Sequence, residues 1–119
     1  MEGLNPARPP AGQILCRLDE IPDPGARGFQ YRAGAALFLG FVVRRGEAVS
    51  GYVDSCPHNG QPLAGPTGRY LTREGDLILC SGHGALFRLD DGVCLGGPCA
   101  GARLRPWPVV VRDGAVATA

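Results

Sequence analysis

"SCPHNGQPLAG", Ser55 to Gly65, sets a cysteine and a histidine two positions apart among prolines and glycines. The chain has only two histidines, and the other lies in "CSGHGALF", Cys80 to Phe87, again just behind a cysteine. Cys56-x-His58 and Cys80-x-x-His83 thus supply one thiol and one imidazole each, with residues 59 to 79 between them. Thiolate sulfur and imidazole nitrogen are ligands for zinc and for iron–sulfur centres. Two tight loops on neighbouring strands can bring four such groups together. A zinc finger groups two cysteines and then two histidines. Here the kinds alternate, which suits a binuclear centre whose two metals are both gripped by each loop.

Outward from these loops the chain reads as antiparallel β structure. Residues 13–18 read as a first strand, 21–28 as a loop and 29–33 as a short strand. Ala36 to Ser55 reads as a hairpin rich in Val, Phe and Tyr, turning at Arg45-Gly46-Glu47. Gly34, Gly40 and the β-branched pair Val42-Val43 count against a helix there. Asp76 to Cys80 reads as a strand entering the second loop, Ala85 to Gly96 as a hairpin turning at Asp91-Gly92, and the tail as a hairpin turning at Asp113-Gly114. Pro106 and Pro108 place the start of the tail at a sheet edge.

At 119 residues the chain is one domain's worth. Prolines crowd the first ten residues, so residues 1–12 are expected to be a disordered arm, with one domain over 13–119. A net charge of +1 gives no reason to expect nucleic acid or a membrane surface as partner. No signal peptide is visible, and the longest apolar run, 33–43, is about half of what a membrane helix needs. A cytoplasmic protein is expected, in which five cysteines serve as thiols or metal ligands rather than disulfides. Cys16, Cys94 and Cys99 fit neither loop and read as small buried hydrophobes.

The two loops resemble those of the Rieske [2Fe–2S] proteins, whose pattern Cys-x-His-x-Gly and Cys-x-x-His-Gly is met by Cys56, His58, Gly60 and Cys80, His83, Gly84. Pro57, Leu63, Phe87, Gly92 and a third-loop Gly97-Pro98 extend the likeness over about 54 to 98. The resemblance implies an all-β fold: an antiparallel β-sandwich base domain with an inserted, loop-rich cluster-binding lobe at about 54–99. It implies one [2Fe–2S] cluster, with Cys56 and Cys80 on the inner iron and His58 and His83 on the outer one. Gly60, Gly82 and Gly84 are expected to admit close backbone N–H donors and positive φ, with Pro98 over the cluster.

Respiratory members of the family cross-link the two loops through cysteines where this chain has Gln61 and Gly82, and carry hydroxyls where it has Ala85 and Phe87. Both departures resemble the low-potential ferredoxins of bacterial ring-hydroxylating oxygenases. The implied role is one-electron carriage from a flavin-dependent ferredoxin reductase to a terminal oxygenase, an electron-transfer component rather than an enzyme. Both histidines being used, none remains for the mononuclear iron of an oxygenase. The small Rieske subunit of a nitrite reductase-like complex and a zinc-stapled interaction module are the alternatives. The expected docking tip is Gln61, Pro62, Leu63 and Gly97, around the two histidines, with Arg44-Arg45 a weaker candidate.

Overall fold

The computed structural model describes residues 5–57, 60–82, 84–99 and 101–119. Among the described residues are nine strands: β1 (Ile14–Arg17), β2 (Gly25–Ala33), β3 (Ala36–Arg45), β4 (Ala48–Val53), β5 (Leu77–Leu79), β6 (Leu86–Arg88), β7 (Cys94–Gly96), β8 (Val109–Arg112) and β9 (Ala115–Thr118). They form three antiparallel sheets of three strands, ordered β1-β9-β8, β2-β3-β4 and β5-β6-β7.

The second sheet is the shared wall. Along β3, Phe38 and Val42 belong to one core while Phe41 and Val43 belong to another, as a period of two requires. The first core also holds Cys16, Val116 and Trp107, and so lies between the first and second sheets. The second core holds Tyr52, Ile78, Phe87 and four of the five cysteines, and so lies between the second and third sheets. Trp107 is 1% exposed and meets Phe29 and Phe38 edge-on, at centroid separations of 6.0 and 5.0 Å. Glycine at 40 makes room for it, since a Cβ there would stand 2.5 Å from the indole. The segment before β8 runs beside β4, with Val53 N–H donating to Arg105 O and Trp107 N–H to Gly51 O, both at 2.9 Å. It carries the chain from the cysteine-rich core (Leu104) to the other core (Trp107).

The hairpins turn at Gly46-Glu47 and Asp113-Gly114 as expected, with Arg45 opposite Ala48 and Arg112 opposite Ala115. Two expectations fail. Residues 25–28 are strand rather than loop, because β2 pairs with β3 in unbroken register from Gly25↔Arg44 to Ala33↔Ala36. That ladder outweighs the local glycine content. Residues 5–12, expected to be disordered, are packed: Ala7 is 6% exposed, Asn5 Nδ2 donates to Leu37 O at 2.9 Å, and Gly12 N–H donates to Thr118 O at 2.8 Å. Prolines restrict the unfolded chain, so ordering such a segment costs less entropy than its composition suggests.

Candidate metal centre

Cys56 and Cys80 are 1% and 2% exposed, in the same core, and neither is in a disulfide. Each follows a strand, β4 or β5, and opens a loop closed in the same way. Cys56 N–H donates to Gln61 O at 2.8 Å and Gly60 N–H to Cys56 O at 2.7 Å. Cys80 N–H donates to Ala85 O and Gly84 N–H to Cys80 O, both at 2.9 Å. The glycine four residues after each cysteine has φ of +75° or +73°, the left-handed conformation that other residues resist. The two loops are closed alike although their histidines fall at different offsets. His58 and His83 themselves lie outside the described residues.

Ser81 joins the two loops. Its N–H and Oγ both donate to Leu63 O, at 2.9 and 3.0 Å, and Oγ lies 2.8 Å from Ala64 O. A polar clamp thus ties the loops beside the positions, Gln61 and Gly82, where the resemblance ruled out a disulfide. Asp54, 7% exposed, anchors the first loop from below: its Oδ1 accepts from Leu63 N–H and its Oδ2 from Tyr70 O–H, both at 2.8 Å. Tyr70 stacks on Phe41 with centroids 4.6 Å apart. Burial and then the Asp54 bond hold the Tyr70 phenol well above its ordinary pKa. Sequence reasoning missed Asp54, Tyr70 and Ser81. An aspartate at the end of an apolar strand, two residues before a candidate ligand, was the available signal.

The third loop leans on the second. A Cβ at Gly97, whose φ is +92°, would stand 2.8 Å from Ala85 Cα. Gly60, Gln61, Pro62, Gly82, Gly84, Gly97 and Pro98 are exposed, forming the mouth of the loops. Two expectations are corrected. Leu63 is 0% exposed and part of the cysteine-rich core, so it braces the loop and cannot meet a partner. Gly82 does not take positive φ. Arg44 is likewise structural: its Nη1 donates to Leu18 O at 3.0 Å and Ile21 O at 2.9 Å. Cys16, Cys94 and Cys99 are buried as expected. Cys99 is pushed up to about 12, chiefly by burial, then by its bond with Cys94 and the nearby thiols of Cys94 and Cys56.

The residues present fit a [2Fe–2S] group. Soft thiols lie at the inner end of twin loops, and the loop glycines leave open space: among the described residues, no atom beyond the chain neighbours lies within 4 Å of a Cβ built at Gly82 or Gly84. No curated protein sequence matches the chain. Among solved structures, a chain of the complex of reduced oxygenase and oxidized ferredoxin in carbazole 1,9a-dioxygenase is similar at 28% identity and TM-score 0.69, over 89% of this chain and 99% of that one. The ferredoxin of carbazole 1,9a-dioxygenase from Nocardioides aromaticivorans IC177 matches at 22% identity and TM-score 0.71, over 93% and 98%. The Sphingomonas yanoikuyae B1 ferredoxin matches at 22% identity and TM-score 0.65, over 88% and 94%. The Rieske [2Fe-2S] domain family matches residues 12–112, which include both loops and every strand but β9, and the chain belongs to that family.

Proposed function

We propose that this protein is the ferredoxin of an oxygenase system, carrying one electron at a time from a flavin-dependent reductase to a terminal oxygenase. Cys56, His58, Cys80 and His83 are the ligands, within a cluster-binding lobe of about 54–99, and the cytoplasm is the compartment. When bound, a Rieske-type cluster supplies the single reversible electron. The protein's own residues hold it, shield its inner side and leave its outer side near a partner. The observation that carries this reading is the pair of buried thiols at equivalent positions in two loops, of which Asp54 anchors the first and Ser81 ties the two together. Likeness to a chain from an oxygenase–ferredoxin complex supports the choice of acceptor.

Docking falls to Gln61, Pro62, Gly97 and Pro98, without Leu63. Residues 54–99 carry three arginines against five acids, and the remainder nine against six. So mild a polarity leaves the contact at the mouth mainly apolar, with weak salt dependence. The reading is tested by iron and acid-labile sulfide analysis with an EPR spectrum of the reduced protein, then by stopped-flow oxidation by a terminal oxygenase. Pro98→Glu is expected to slow that oxidation and leave the midpoint potential almost unchanged, whereas Arg45→Ala does much less. Stoichiometric zinc without sulfide after anaerobic purification overturns the cluster. A slow Arg45→Ala beside a normal Pro98→Glu overturns the docking face.

A further inference from the structure

The third loop has chemistry that the electron-carrier reading does not use. Cys94 Sγ and Cys99 Sγ are 2.8 Å apart, 4% and 7% exposed, and not bonded. A disulfide spans about 2.05 Å, so a small movement joins them. The backbone holds both ends in place: Cys94 N–H donates to Ala102 O at 2.8 Å, and Ala102 N–H donates to Cys99 O at 2.9 Å. Cys94 is further fixed by β7, opposite Phe87. Its sulfur also lies 3.2 Å from Gly96 O, an acceptor for a thiol proton, and either sulfur can donate to the other. Cys16, in the other core, has no thiol partner of this kind.

We propose that Cys94 and Cys99 form a reversible disulfide that staples the third loop at its base. The oxidant is hydrogen peroxide or another small hydroperoxide, because thiols this buried do not admit a bulky disulfide reagent. The Cys94 sulfur takes the peroxide oxygen, becoming a sulfenic acid, and the first water (for an organic peroxide, the alcohol) departs. The Cys99 sulfur then displaces the hydroxyl, which leaves as water with the last thiol proton. Two thiols lose two electrons and two protons, and one peroxide takes them up. The link closes residues 95–98, holding Gly97 against Ala85 and Pro98 at the mouth of the loops. It also removes Cys99, a close neighbour of Cys56, as a competing thiol. The cross-link rests on the positions of these two sulfurs and does not require the cluster.

Trypsin reads it directly. With arginine the only basic cleavage residue, residues 89–103 form one peptide containing only Cys94 and Cys99, while Cys16, Cys56 and Cys80 fall in three others. The folded protein is exposed to graded hydrogen peroxide, then denatured, alkylated, digested and weighed. The expected result is a 89–103 peptide lighter by two hydrogen atoms that refuses alkylation until dithiothreitol is added, with the other three cysteine peptides still alkylated. In Cys94→Ser the peptide must never show that loss and must take an alkyl group at Cys99. Overturning results are a 89–103 peptide that stays doubly alkylated while other cysteines oxidise, a cross-link from this peptide to the one bearing Cys56, or a product that dithiothreitol does not reverse.

Discussion

The two faces of β3 support cores of different kinds. Phe38 and Val42 face a core closed by strands of four to ten residues and centred on Trp107. Phe41 and Val43 face a core whose far wall is three strands of three residues, with two long loops between strands that hold Cys56 and Cys80. The first side is secured by backbone ladders and apolar area. The second is secured by side-chain locks (Asp54 on Leu63 and Tyr70, Ser81 on Leu63 and Ala64) and, when bound, by its metal centre. A few short strands with so little ladder lack an independent core, so ligand binding and local folding are coupled there. The side that carries the chemistry is the side that cannot stand alone.

The strongest way to break that contrast is Cys56→Ser or Cys80→Ser. Essentially all iron and sulfide should be lost, with NMR signals of residues 60–99 broadened and those of β1, β2, β8 and β9 retained. If the whole chain unfolds, the two sides are one cooperative unit. Next comes Trp107→Ala, which empties the other core and should cost about 3–5 kcal/mol in a urea titration. There the loss should be global, because β3 and β4 form part of both cores.

Asp54→Ala tests the lock. It strands the buried Leu63 N–H and the Tyr70 hydroxyl, each worth about 1–3 kcal/mol when left unpaired. Iron release to a chelator should speed up markedly, while Asp54→Asn, which keeps an acceptor oxygen, does so less. Equal release from both variants would show that the hydrogen bond to Leu63 is not what holds the loop.

A smaller effect appears in alkali. Tyr52 is pushed up to about 12 and Tyr70 higher than its ordinary value, in each case mainly by burial. Both keep their proton longer when folded than when unfolded. Their stability contribution is therefore complete below about pH 10, the unfolded phenol value, and falls away as pH rises through the folded values. Denaturation midpoints measured from pH 8 to pH 12 should drop above pH 10, and Tyr70→Phe should flatten the fall. The smallest change is electronic. With Ala85 and Phe87 lacking hydroxyls, the midpoint potential should lie at about −150 to −50 mV, the low end of the Rieske range. Ala85→Ser should raise it modestly, as read by voltammetry.

The sequence by itself determined the family, the hairpin turns and the all-β class, and it carries the proposed ligand set. Each depends on local chemistry: thiol and imidazole at short spacing, Asp-Gly and Arg-Gly turns, alternating β-branched residues. It also exposed the absent loop disulfide, from Gln61 and Gly82. Tertiary structure alone decided that residues 5–12 pack, that β2 begins at Gly25, that Leu63 points inward, and that Cys94 meets Cys99. Asp54 belongs to the same class, since its partners Leu63 and Tyr70 lie nine and sixteen residues away. Those outcomes depend on which surfaces meet across distant segments, and burial gained there outweighs what neighbours in the chain prefer. The docking expectation failed at Leu63 for that reason. A leucine in a glycine-rich loop looks exposed until a second core is found beneath it.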